Sequence, residues 1–224
     1  MKSGSLAEQF ILNEMRQSPL FTWAIKMPND MRRPSPCDID ARGHELSFYI
    51  ECKSTFEDSK RTCVNIDKTF KRQASTIHRF WKANPIRHRG GFIFAFHQNH
   101  HEVMDGDLLF YVQIAHISYI IEKVCENPDV TTRQVSGCGL TKTMIRKDFF
   151  FKTNLPKVME SIEFQIYRIP LLRTEKGRLY PDLSVLVDCQ PYRPYLNDGS
   201  IETMDMNVLT KKYGGGKQES ILDL

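Results

Sequence analysis

The sequence predicts a mixed α/β fold. Residues 46–53, LSFYIECK, alternate apolar and polar, as a half-buried strand does. Ile66, Phe70, Ala74, Ile77 and Trp81 recur at helical spacing. Residues 90–97, GGFIFAFH, are apolar on both faces, as expected of a strand in the middle of a helix-flanked sheet.

The elements follow in order. Ser5 to Arg16 reads as an amphipathic helix with Leu6, Phe10, Ile11 and Met15 near one face, and Ser5 and Glu8 at the spacing of a capping box. Pro19 limits that helix, and Pro28, Pro34 and Pro36 mark an extended, turning connection. CDIDA is a short strand and RGHE a hairpin turn. In the strand that follows, Leu46, Phe48, Ile50 and Cys52 share one face, and Ser47, Tyr49, Glu51 and Lys53 the other. Thr55 to Asn65 reads as a polar loop, with Asn65 capping a helix that runs to about Lys82. Gln73 stands beside the apolar stripe of that helix. LLFYVQI is a further strand and HISYIIEKVCE a helix; past about Gln134, IEFQIYRI and LSVLVDC alternate like strands. The expected organisation is a core over residues 1–150 and a C-terminal extension over 151–224, of unassigned role, ending in a flexible tail.

Composition narrows the function classes. No run approaches the length of a membrane span, and the N-terminus has no continuous apolar stretch like a signal peptide, so a cytoplasmic protein is expected. The six cysteines form no CxxC pair and read as reduced thiols rather than a zinc site. The net charge is only +4, but Lys53 to Gly91 holds ten Lys and Arg against three acids, an excess of +7 that leaves −3 elsewhere. Such a local basic surface suits a polyanion.

The chemistry concentrates in Asp38, Glu51, Lys53 and Gln73. Period-two geometry places Glu51 and Lys53 on one face of a strand whose other face is apolar, and Asp38 and Asp40 on one face of the strand before it. Crowded carboxylates repel unless a cation lies between them, and hard ions such as Mg²⁺ or Mn²⁺ prefer oxygen ligands. Asp38 or Asp40 with Glu51, and the Cys52 carbonyl, form such a set; Lys53 and Gln73 are placed to organise a water. Lys60, Arg61, Lys68, Lys71, Arg72 and Arg79 are candidate DNA phosphate contacts. His97, His100 and His101 fit no standard metal spacing, and GCGLTKT lacks the spacing of a phosphate loop. Trp81 belongs to the core stripe; Phe80 is a candidate base-stacking residue.

The lead-in Pro36-Cys37-Asp38, the glycine hairpin, Glu51-Cys52-Lys53, the helix bearing FKRQ and the strand GGFIFAFH resemble the PD-(D/E)xK nuclease superfamily, and within it the RecU-type Holliday-junction resolvases. The resemblance spans roughly Ser5 to Lys123. It implies a restriction-endonuclease-like core, a central mixed sheet flanked by helices. It also implies a Mg²⁺- or Mn²⁺-dependent DNA endonuclease acting on branched DNA in recombination and repair, as a homodimer, in the cytoplasm or encoded by a phage. Asp38 and Glu51 would be metal ligands, Lys53 the catalytic lysine, Gln73 the helix glutamine and Glu8 a further carboxylate near the metal. Arg72 stands where the family has histidine, and the lead-in before Asp38 is short. Two other readings use the same core: a sequence-specific restriction or repair endonuclease, and a non-catalytic DNA-binding module.

Overall fold

The computed structural model describes residues 5–28, 35, 37–57, 62–151 and 166–189. The first helix, α1 (Ser5–Gln17), buries Ala7, Ile11, Leu12 and Met15. The buried stripe is turned slightly from the expected one, because small Ala7 lets the helix lie close to the sheet while Phe10 packs at the margin. The connection after Pro19 contains a strand that the prolines disguised, β1 (Trp23–Lys26). It pairs antiparallel with β2 (Ile39–Arg42), which pairs antiparallel with β3 (Ser47–Phe56).

The segment expected to be a polar loop ends in a short strand, β4 (Cys63–Asn65). Helix α2 (Lys68–Ala83) starts two residues later than expected, because Asp67 and not Asn65 caps it: the Asp67 carboxylate accepts the Phe70 N–H at 2.8 Å. Phe70, Ala74 and Ile77 are buried on its inner face. Strand β5 (His88–His97) runs parallel to β3, and β6 (Leu108–Gln113) returns antiparallel. Helix α3 (Ile114–Tyr119) continues as a wider π-helical turn over Ile120–Cys125.

Beyond it come α4 (Thr132–Ser136), β7 (Leu140–Thr141), β8 (Met144–Arg146) and a 3-10 turn over Lys147–Phe150. The GCGLTKT segment is a turn at Gly139, where φ is +74°, leading into β7. Then follow β9 (Ile166–Ile169), β10 (Leu171–Arg173), β11 (Leu179–Pro181) and α5 (Ser184–Asp188). Residues 184–188 are a helix, where the apolar alternation suggested a strand. The run is too short for its period to decide. The Asp182 carboxylate accepts the Ser184 N–H at 3.1 Å and its hydroxyl at 2.7 Å, which starts a helical turn.

Among the described residues the central sheet has the order β1-β2-β3-β5-β6-β9, and β4-β8-β7 form a second sheet. A mixed sheet lies between two apolar layers, as expected for a restriction-endonuclease-like core. On one face α1 and α5 cover Ile39, Phe48, Ile50, Ile93 and Tyr111. On the other, α2, α3 and the β4-β8-β7 sheet cover Phe92, Phe94, Phe96 and Phe110. Each fully buried side chain of this size contributes about 1.5–3 kcal/mol. Strand β9 and helix α5 lie past residue 150, and both pack on the central sheet. Among the described residues no helix is long and apolar enough to cross a membrane, and all six cysteines are free thiols.

Gly91 lets the centre of this sheet close. A Cβ there would meet the Val112 carbonyl at 2.6 Å and collide with the Tyr111 ring. Gly91→Ala should therefore lower the free energy of unfolding by about 1–3 kcal/mol in urea titrations. An unchanged midpoint would mean that Tyr111 has room to move.

Candidate active site

Strand β3 carries the site because its two edges and two faces do different work. Ser47 donates its N–H to the Arg87 carbonyl, and Glu57, just past the strand, donates to the His97 carbonyl, so odd-numbered residues bond toward β5. Even-numbered residues bond toward β2: the Ile50 carbonyl accepts the Asp38 N–H at 3.0 Å. Two residues on, β2 has not yet begun. The Asp38 carboxylate stands in for the missing backbone and accepts the Cys52 N–H at 2.9 Å. Strand geometry sends the Cys52 carbonyl out on the same edge.

The faces separate polarity. Phe48, Ile50 and Cys52 point into the layer beneath α1. Glu51 and Lys53 point the other way, toward α2. Glu51 is 1% exposed. Its Oε1 accepts the Lys53 ammonium at 2.6 Å and also the Gln73 amide, while Gln73 Oε1 accepts Lys53 Nζ at 2.9 Å. These three side chains close a ring of hydrogen bonds across β3 and α2. Gln73, where the helix stripe lacks an apolar residue, is the member supplied by the helix.

The second carboxylate oxygen, Glu51 Oε2, is buried and has no hydrogen-bond partner among the described residues. Burial pushes the Glu51 carboxyl up to about 8; Lys53 pulls it down, and the Asp38 carboxyl pushes it up again. Asp38 is thus close enough to press its charge on Glu51 and to accept a hydrogen bond from it when Glu51 holds its proton. Glu8 approaches Asp38 from α1, on the other face of the sheet. Its carboxyl, also raised by burial, pairs with Lys26 Nζ at 2.7 Å and feels the Asp38 charge.

The structure brings together Asp38, Glu51, Cys52, Lys53 and Gln73, with Glu8 near Asp38 but not gathered with Glu51. Asp40 turns elsewhere: it pairs across the sheet with Tyr49 and its charge is met by Arg42. Lys26 was invisible in the sequence because its strand was. The signal was WAIK, four residues of strand character between Pro19 and Pro28. Of the basic candidates, Lys60 and Arg61 lie outside the described residues. Lys68, Arg72 and Arg79 are exposed along α2. Lys71 forms an ion pair with Glu126 at 3.1 Å. Trp81 packs against the core, and His97 is buried against Asp107 at 2.6 Å.

An orphaned buried carboxylate oxygen, a second carboxylate beside it and an outward carbonyl suit a hard divalent cation. Among the described residues no three His, Cys, Asp or Glu side chains already stand close enough together to hold a metal ion. The Lys53 and Lys26 ammonium groups occupy the two outer carboxylates instead.

No known protein-family model matches the chain, and no curated protein does. Among solved structures it is similar to Hjc of Archaeoglobus fulgidus, a Holliday junction resolvase from an archaeal hyperthermophile. The identity is 13% over 62% of this chain and 85% of that one, with a TM-score of 0.37. A likeness that faint adds no weight to the site geometry.

Glu51 makes the stability of the metal-free protein depend on pH. With its carboxyl raised from 4.5 to about 8, the folded state holds a proton that the unfolded state releases. Its contribution is complete below pH 4.5 and is lost as pH rises through about 8. In chelator, Glu51→Gln should melt higher than the parent, with a gap that widens between pH 5 and about 8. A gap that does not change with pH would contradict the raised carboxyl.

Proposed function

We propose that the chain is a divalent-metal-dependent DNA endonuclease, a phosphodiester hydrolase whose substrate is branched DNA of the Holliday-junction class. The observation that carries this reading is the buried Glu51 carboxylate: Lys53 and Gln73 bind one oxygen, and the other, with no donor among the described residues, lies against a second carboxylate, Asp38. A salt bridge built for stability would satisfy both oxygens or stay at the surface, since an unmet buried carboxylate costs folding energy.

Asp38, Glu51 and the Cys52 carbonyl would hold Mg²⁺ or Mn²⁺, with Glu8 as a further oxygen. Bound there, the ion would lower the pKa of a water and neutralise charge growing on the phosphate. Lys53, already directed at Glu51 and Gln73, holds the attacking water or a phosphate oxygen by its remaining N–H bond. Gln73 ties Lys53 to the Glu51 oxygen by a hydrogen bond to each. Water attacks phosphorus in line, the bond to the 3′ oxygen breaks, and a 3′-hydroxyl and a 5′-phosphate result. The exposed stripe Lys68, Arg72 and Arg79 on α2 lies alongside and supplies phosphate contacts. Cutting two opposed strands of a junction calls for a symmetric homodimer.

The test is cleavage of a four-way junction, a flap and a linear duplex in Mg²⁺ or Mn²⁺. Paired symmetric nicks on the junction are expected, with Lys53→Ala slower by about 10²–10⁴-fold while DNA binding persists. A Lys53→Ala variant that cuts at the parent rate would end this assignment, and cutting confined to linear duplex would end the junction reading. Replacing Lys68 and Arg72 together by Ala should reduce the slope of log K against log salt by about 1.8. An unchanged slope would place the DNA surface elsewhere.

A further inference from the structure

The sheet face that carries Glu51 and Lys53 continues past the reach of α2. Cross-strand register fixes what lies on it. Ile25, Asp40 and Tyr49 form the next row, and Trp23, Arg42 and Ser47 the row after that. These rows lie about 7 and about 13 Å from Glu51 along the strand. Helix α2 covers β3 and β5, and the β1-β2 half of this face has no described helix over it; α1 packs on the opposite face.

What lines this floor is flat and partly exposed. Trp23 is 42% exposed, with the Arg42 guanidinium 5.7 Å from its ring centre. Tyr49 stacks on Phe80 of α2 at 5.0 Å and 22°, and is braced edge-on by His88. Arg79 lies 6.0 Å from the Phe80 ring. Two arginines, each against an aromatic ring, border the aromatic surface. Asp40, within the nearer row, has a buried Oδ1 with no hydrogen-bond partner among the described residues; burial raises its carboxyl and Arg42 opposes that, so its negative charge on this floor is small.

Aromatic rings and guanidinium planes stack on bases of any identity, while arginines meet the phosphates between them. Bases inside a continuous duplex are already stacked on one another and cannot use such a floor. We propose that Trp23, Arg42, Tyr49 and Phe80 form a stacking track for unpaired nucleotides next to the cleaved phosphate. The preferred substrate is then a branched DNA whose branch point is opened so that bases beside the cut are unpaired. This rests on the nuclease reading above and names the substrate class of the same site.

Trp23 supplies its own signal, since the only other tryptophan, Trp81, packs against the core. The full chain in EDTA is titrated with oligo-dT of about a dozen nucleotides, a length within reach of one such site, and with a blunt duplex. Oligo-dT should quench tryptophan emission in the parent. Trp23→Ala should weaken oligo-dT binding about tenfold, Trp23→Phe should retain most of it, and duplex affinity should stay within about twofold. Oligo-dT binding without quenching, or an equal loss for both ligands, would overturn the track. A parent that binds duplex but not oligo-dT would overturn the track and leave the nuclease reading standing. A parent that binds neither would overturn both.

Discussion

The structure depends on one buried charge. Glu51 sits in the middle of the parallel pairing of β3 with β5, opposite Phe92 and 1% exposed, where an apolar residue would cost nothing. Its environment answers only half of its needs. Lys53 and Gln73 satisfy one oxygen, and Asp38 raises the cost of ionising the group. Burial and the neighbouring Asp38 carboxyl thus favour the proton-bound form of Glu51 while no cation is present. A divalent cation between Glu51 and Asp38 would reverse that balance, because its charge favours both carboxylates at once.

The fold places these groups by small irregularities in a regular sheet. Strand β2 starts too late to pair with Cys52, so the Asp38 side chain takes the vacant N–H. The pleat of β3 sends Phe48, Ile50 and Cys52 into one layer and Glu51 and Lys53 into the other. The burial of Phe48, Ile50 and Cys52 on one face pins the register, since a slip of one residue would bury Lys53 under α1. Helix α2, fixed by its Asp67 cap and by Phe70, Ala74 and Ile77, then brings Gln73 over the strand. Glu51, Lys53 and Gln73 belong to elements held by the core, and Asp38, just ahead of β2, is held by backbone hydrogen bonds to Ile50 and Met27.

The parts of this arrangement that obey a period were legible in the sequence. The two-residue period of β3 and the helical spacing of α2 placed Glu51, Lys53 and Gln73 correctly on their elements. What escaped was set by tertiary contacts. Strand β1 is four residues long between prolines, and its pairing with β2 makes it a strand. Strand β4 lies inside a polar stretch and forms because β8 pairs with it. The helix at residues 184–188 has too few residues for a period and is started by Asp182. Lys26, Trp23 and Arg42 share this origin: their proximity to the site follows from β1-β2 register, which the local sequence does not encode. The choice of Asp38 over Asp40 beside Glu51 was likewise open, because both carboxylates share a face and only the strand end distinguishes them.

The central claim is that Asp38 and Glu51 form an oxygen site for a divalent cation, and calorimetric titration with Mn²⁺ tests it most directly. Run near pH 7 in buffers of different ionisation enthalpy, it reports binding and proton release together. The account predicts that binding by the parent releases about one proton, as Glu51 ionises, and that Asp38→Asn abolishes both. Binding of equal strength in Asp38→Asn, or no binding in the parent, would contradict it.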